Sequence, residues 1–138
     1  MGNECSIFYP AMDDDSGTLG VPFMPWGDEE AEGFHEVVKS NNSFFGKFPL
    51  FLTAKPVQMI SIPVFRNAKI APFKKLQPIV FSHGLSANRM TYSVICRELA
   101  SCGYFVVCLS HNDKSGMYTP KAGHFPSEIP NYTYEFRS

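Results

Sequence analysis

The 138 residues contain no apolar run approaching the roughly 20 residues of a membrane-spanning helix, so no transmembrane segment is expected. Nor do Cys5, Cys96, Cys102 and Cys108 form a C-x-x-C pair. That removes the commonest zinc-ligand spacing, and no zinc site is expected. The N-terminus, MGNECSIFYPAMDDD, lacks a basic n-region and a long apolar h-region, so it does not read as a secretory signal. A cytoplasmic location follows as the expectation, with membrane association left open. The four cysteines are then expected as reduced, buried thiols, and the N-x-S/T sequons at Asn41 and Asn131 as chance matches. Positive charge is in no surplus: 12 Lys and Arg stand against 13 Asp and Glu, a formal net charge of −1. This excludes the basic footprint of a nucleic-acid binder.

What is present is globular in composition, 44% hydrophobic and 18% charged, which favours one domain. Thirteen Phe and eleven Pro make the chain apolar but heavily punctuated. SIFYP reads as a short strand ending in proline, followed by an acidic loop, DDDSGTLG. VPFMPWGDEE, with Trp26, reads as an extended surface segment. Asp28 is positioned to cap a helix running to about Lys39, against the weakening effect of Gly33. NNSFFGKFPLFLTAKP gathers Phe44, Phe45, Phe48 and Phe51, either as core or as an exposed patch that meets a membrane surface. VQMISIPVF alternates like a strand, but Pro63 points to an edge or irregular segment.

From Pro78 the pattern sharpens. PIVFS reads as a strand buried on both faces. Ser86 or Asn88 is a candidate cap for a helix whose apolar face would be Tyr92, Ile95, Leu99 and Cys102. Gly103 stops it, and YFVVCLS is the next buried strand. Together these form a βαβ unit. After Ser110 the chain reads as loop.

His83-Gly84 stands at the carboxyl end of the first of these strands, where open parallel sheets bind ligands. A glycine lets the backbone turn there. The following amide, Leu85 N–H, is then placed to face an oxygen that gains charge during acyl transfer, as in an oxyanion hole.

The block VFSHGLSANRMTYSVICRELASCGYFVVCLSHNDKSG resembles the platelet-activating-factor acetylhydrolase family, whose pattern here is FSHGLGA-R--YS----LAS-GF-V---EHRD-S. The matches are Phe81 to Leu85, Ala87, Arg89, Tyr92-Ser93, Leu99 to Ser101, Gly103, His111, Asp113 and Ser115. Ser86, Ser110 and Asn112 depart from it, standing for glycine, glutamate and arginine. Upstream, FYP and PFMP give a looser likeness. The resemblance implies an α/β fold. Residues 1–138 would be the N-terminal part of a single α/β-hydrolase domain, with the N-terminal strands and first βαβ unit of a mostly parallel sheet. It implies a serine esterase that releases acetate or a short acyl chain from phospholipids, with no cofactor. It assigns Leu85 N–H as oxyanion donor, His83 and Gly84 as shaping the turn, and His111 and Asp113 as bracing the site. No G-x-S-x-G occurs, so nucleophile, acid and base are expected beyond Ser138. The alternative is a non-catalytic hydrolase-like protein that binds lipid or a partner. MGNECS also satisfies the myristoylation pattern at Gly2, with Cys5 available for a second acyl group.

Overall fold

A computed structural model of the chain describes residues 4–12, 17–41, 44–72, 75–118 and 133–136. Six strands form one sheet: β1 (Glu4–Pro10), β2 (Thr18–Pro22), β3 (Ser61–Arg66), β4 (Gln77–Ser82), β5 (Tyr104–Ser110) and β6 (Thr133–Phe136). Four helices accompany them: α1 (Asp28–Ser40), α2 (Leu50–Thr53), α3 (Lys55–Gln58) and α4 (Ser93–Ser101). The strand order is β2-β3-β6-β1-β5-β4.

The sheet is mixed, not mostly parallel. β1 runs antiparallel to β5 and parallel to β6, and β3 is antiparallel to both β2 and β6. Only β4 and β5 form a long parallel pair, from Gln77 opposite Tyr104 to Ser82 opposite Leu109. Joined through α4, they are the expected βαβ unit. β6 lies in the segment that reads as loop. Its four residues, TYEF, are too few for a recognisable alternation, and it is the neighbours β1 and β3 that recruit them into the sheet.

β4 is not buried on both faces. It ends the strand order, and Val80 is 68% exposed while Ile79 and Phe81 pack against the core. The continuous apolar spelling therefore hides an alternation, and Pro78 fits the edge position. β3, in contrast, is a regular strand with Ile62 and Val64 buried. It tolerates Pro63 because β6 pairs with it only at Phe65 and Arg66.

Gly27, not Asp28, is the residue preceding α1, and Asp28, Glu29 and Glu30 occupy its first turn, where the helix dipole favours negative charge. Gly33 sits within the helix for a packing reason: a Cβ there would lie 2.2 Å from Met117 O. Helix α4 begins five residues after Asn88. The Asn88 side chain caps a separate turn, its Oδ1 accepting from Met90 N, Thr91 N and Thr91 Oγ1 at 2.8–2.9 Å. The later start rotates the buried stripe to Ser93, Cys96 and Ala100, with Tyr92 and Leu99 partly covered. Ile95 is 50% exposed and Cys102 is exposed, contrary to the periodic reading. Small residues on the inner face let the helix approach β5 closely.

The main core joins Phe8, Val21, Ile62, Val64, Met90 and Val106 around the sheet. A smaller cluster of Met24, Ala31 and Ala54 lies under α1, with Leu50, Val57 and Met117 packed on it.

Candidate active site

The parallel pairing of β4 and β5 brings two carboxyl ends side by side, so the segments 83–92 and 111–118 leave the sheet together. Backbone hydrogen bonds fasten them: Ser86 N–H donates to Ser115 O at 2.7 Å, and Met117 N–H to Ala87 O at 2.9 Å.

His83 is buried between them. The His111 backbone N–H donates to His83 Nε2 at 3.2 Å, which makes Nε2 the unprotonated nitrogen. The proton on Nδ1 then donates to Gly84 O at 2.8 Å. The two imidazoles meet edge to face with centroids 4.5 Å apart, and His111 Nε2 shares a hydrogen bond of 2.8 Å with Ser82 Oγ. His83 and His111 thus lie in contact, one ring holding the turn after β4 and the other resting on the end of that strand.

Leu85 projects its side chain outward, 83% exposed. Its backbone N–H makes no hydrogen bond within the described residues. Gly84 does not adopt a positive φ; in this turn that conformation falls on Ser86, at φ 58°. A Cβ on Gly84 would meet only the Tyr92 hydroxyl, at an ordinary 3.4 Å. The left-handed residue is thus the position where the family pattern has glycine, and here a serine adopts it.

Asp113 is exposed, and its hydrogen bonds go to Ser115 and not to the imidazoles. Its carboxylate accepts from the Ser115 hydroxyl and from Ser115 N–H at 2.9 Å, and these bonds hold it below the usual carboxylate range. Cys5 lies on β1 opposite Leu109, with an exposed thiol, while Gly2 lies outside the described residues.

A polar cluster beneath the site escaped the sequence reading. Arg89 is buried, its guanidinium bonded to the Glu4 carboxylate, its backbone N–H donating to Ser110 Oγ at 3.2 Å. Trp26 Nε1–H donates to the same Glu4 oxygen at 3.0 Å. Asn88 Nδ2 donates to Glu30, which also accepts from Trp26 N–H. Burial pushes the Glu30 carboxyl up despite these donors and the nearby Arg89. Its sequence signals are Asn88 and Arg89, read above as a candidate cap and as a match to the family pattern, neither of which points to Glu4 or Glu30.

On the far side of α1, Phe44 to Lys47 form a 3-10 turn leading to α2 and α3. Phe44, Phe45, Phe48 and Phe51 are exposed, with the rings of Phe45 and Phe48 both packed against that of Phe44. They form a surface patch and not part of the core. No helix among the described residues is long and apolar enough to cross a membrane, and no group of three or more His, Cys, Asp or Glu is arranged there to hold a metal ion.

A mixed sheet with helices packed on it and paired loops at the carboxyl ends of two parallel strands defines the class: an α/β protein. The sequence model of platelet-activating factor acetylhydrolase, isoform II, matches residues 2–131. The chain belongs to that family of phospholipid acetylhydrolases. It is 43% identical over 118 residues to the platelet-activating factor acetylhydrolase of chicken, Gallus gallus, covering 86% of this chain and 26% of that protein. With the acetylhydrolase of guinea pig, Cavia porcellus, it shares 33% identity over 114 residues, 82% of this chain and 24% of the relative. The cattle protein, Bos taurus, is 34% identical over 122 residues, with 86% and 25% covered. The chain therefore spans about a quarter of the length of these relatives.

Proposed function

We propose that this chain supplies the oxyanion-bearing part of an esterase that releases acetate or a short acyl group from the sn-2 position of 1-alkyl-2-acetylglycerophosphocholine and similar phospholipids. The observation that carries the reading is Leu85 N–H, a donor with no partner among the described residues at the carboxyl end of a parallel strand. As an ester carbonyl becomes tetrahedral its oxygen gains negative charge, and a fixed donor lowers that barrier by about 3–4 kcal/mol. The donor is held in place by the Ser86–Ser115 and Ala87–Met117 bonds and by the His83–His111 contact, which make the loop costly to reorganise. The reading assigns the serine nucleophile, base and acid to family sequence not contained in residues 1–138, because these hold no G-x-S-x-G. On its own the chain is thus expected to show no ester turnover.

The exposed phenylalanines favour contact with a lipid surface, where the substrate resides. Acylation at Gly2 and Cys5 would reinforce it, since two acyl chains anchor where one is marginal. The same patch is what a non-catalytic lipid- or partner-binding protein would use, and this is the second reading.

A chimera separates the two. Residues of this chain replace the matched quarter of the chicken relative, and hydrolysis of 1-alkyl-2-acetylglycerophosphocholine is followed. Turnover by the chimera, with none by the 138-residue chain alone, is the expected result. A folded chimera without turnover would support the binding reading.

A further inference from the structure

Cys96 and Cys108 take no part in the site described above, yet they face each other across the core. Cys96 lies on the inner face of α4 and Cys108 on β5, and both side chains are fully buried. Their sulfurs are 3.1 Å apart, closer than an ordinary thiol hydrogen bond requires. Two thiols this near need to approach by only about 1 Å to reach the S–S bond length. Cys5 and Cys102, in contrast, are exposed and have no such partner.

We propose that Cys96 and Cys108 form a built-in dithiol that a peroxide oxidises to an intramolecular disulfide, stapling α4 to β5 beneath the paired loops. Burial excludes a bulky disulfide reagent from both sulfurs but admits a small hydroperoxide during local opening. The Cys96 thiolate attacks the peroxide oxygen, the O–O bond breaks, and hydroxide leaves and takes up a proton. Cys96 is then a sulfenic acid. The Cys108 sulfur attacks it, the S–O bond breaks, and water leaves with the Cys108 proton. The two sulfurs give up two electrons, and hydrogen peroxide is reduced to two waters. The Cys108 hydrogen bond eases ionisation of Cys96, while the same contact and burial push the Cys108 thiol up. The proposal takes Cys96 as the first to react and Cys108 as the one that resolves.

The inference is independent of the esterase reading. Helix α4 continues from the segment carrying Leu85, and β5 runs into the segment carrying His111, so the staple would join the supports of both loops.

The test uses the full chain carrying Cys5→Ser and Cys102→Ser, treated with hydrogen peroxide and then alkylated in denaturant. The expected product is monomeric, lighter by about two hydrogens, closed to alkylation at both remaining thiols and linked between the Cys96 and Cys108 peptides. Its thermal midpoint should rise by several degrees and return on reduction. A Cys108→Ser variant should stop at the sulfenic acid, trapped by dimedone at Cys96. The same oxidation in denaturant is the control and should be slower. Full alkylation of both thiols after oxidation of the folded chain, or a bond forming no faster than in denaturant, would overturn the proposal.

Discussion

At Gly33 two residue-scale effects oppose each other. Alanine would favour the helix by about 1 kcal/mol. The same methyl would meet Met117 O at 2.2 Å, a backbone atom that cannot rotate aside. The clash should win, so Gly33→Ala is expected to lower stability by about 1–3 kcal/mol, and chemical denaturation measures it. Loosening should be greatest in the segment 111–118, seen as faster amide exchange at Met117. Glu30 makes a second residue-scale case. Its raised carboxyl binds a proton in the folded state above the reference value of 4.5, where the unfolded chain has lost it. Its contribution to stability is therefore full below about that pH and is lost as pH rises through the folded value. Arg89 opposes this shift and Glu4 adds to it. Glu30→Gln cannot titrate, so the wild type should lose stability relative to it as pH rises from about 4.5 through the folded value. Asp28 and Asp113, whose carboxyls are held low, titrate alike in both proteins. Parallel stability curves would contradict the assignment. The turn at His83-Gly84-Leu85 was legible because histidine and glycine end an apolar strand. The Glu4–Arg89 pair was not, because its partners are remote in sequence and Arg89 by itself does not name its acidic partner.

Among elements, the patch after α1 gives the clearest expectation. Phe44 is 67% exposed and anchors the ring cluster, and Gly46 lets the turn approach α1, where a Cβ would lie 2.6 Å from Lys39 Cα. Replacing Phe44 and Phe51 by Ser should weaken sedimentation with phosphatidylcholine vesicles by roughly tenfold or more while leaving the unfolding midpoint nearly unchanged, since each exposed ring inserted in lipid is worth on the order of 1–2 kcal/mol. Unchanged sedimentation would remove the lipid-contact reading. Helix α4 shows where periodicity misleads. Its pattern supports two stripes, one through Ile95 and one through Cys96, and the turn capped by Asn88 sets which of them faces β5. In β4 a continuous apolar run masks an edge strand, because Val80 is as apolar as its inward neighbours.

For the whole molecule, the βαβ unit was legible because its strands, helix and stop signal are contiguous. The mixed topology was not, because it depends on β1 pairing with β5, about a hundred residues away, and on β6 entering between β1 and β3. The measurement that bears most directly on the central claim compares Leu85→Ala with Leu85→Pro in the chicken chimera. Alanine keeps the backbone donor, so kcat should stay near that of the parent. Proline removes it, and kcat should fall by about 10²–10³, with KM changing less because the donor acts on the transition state. A folded Leu85→Pro chimera with near-parental kcat would contradict the oxyanion assignment.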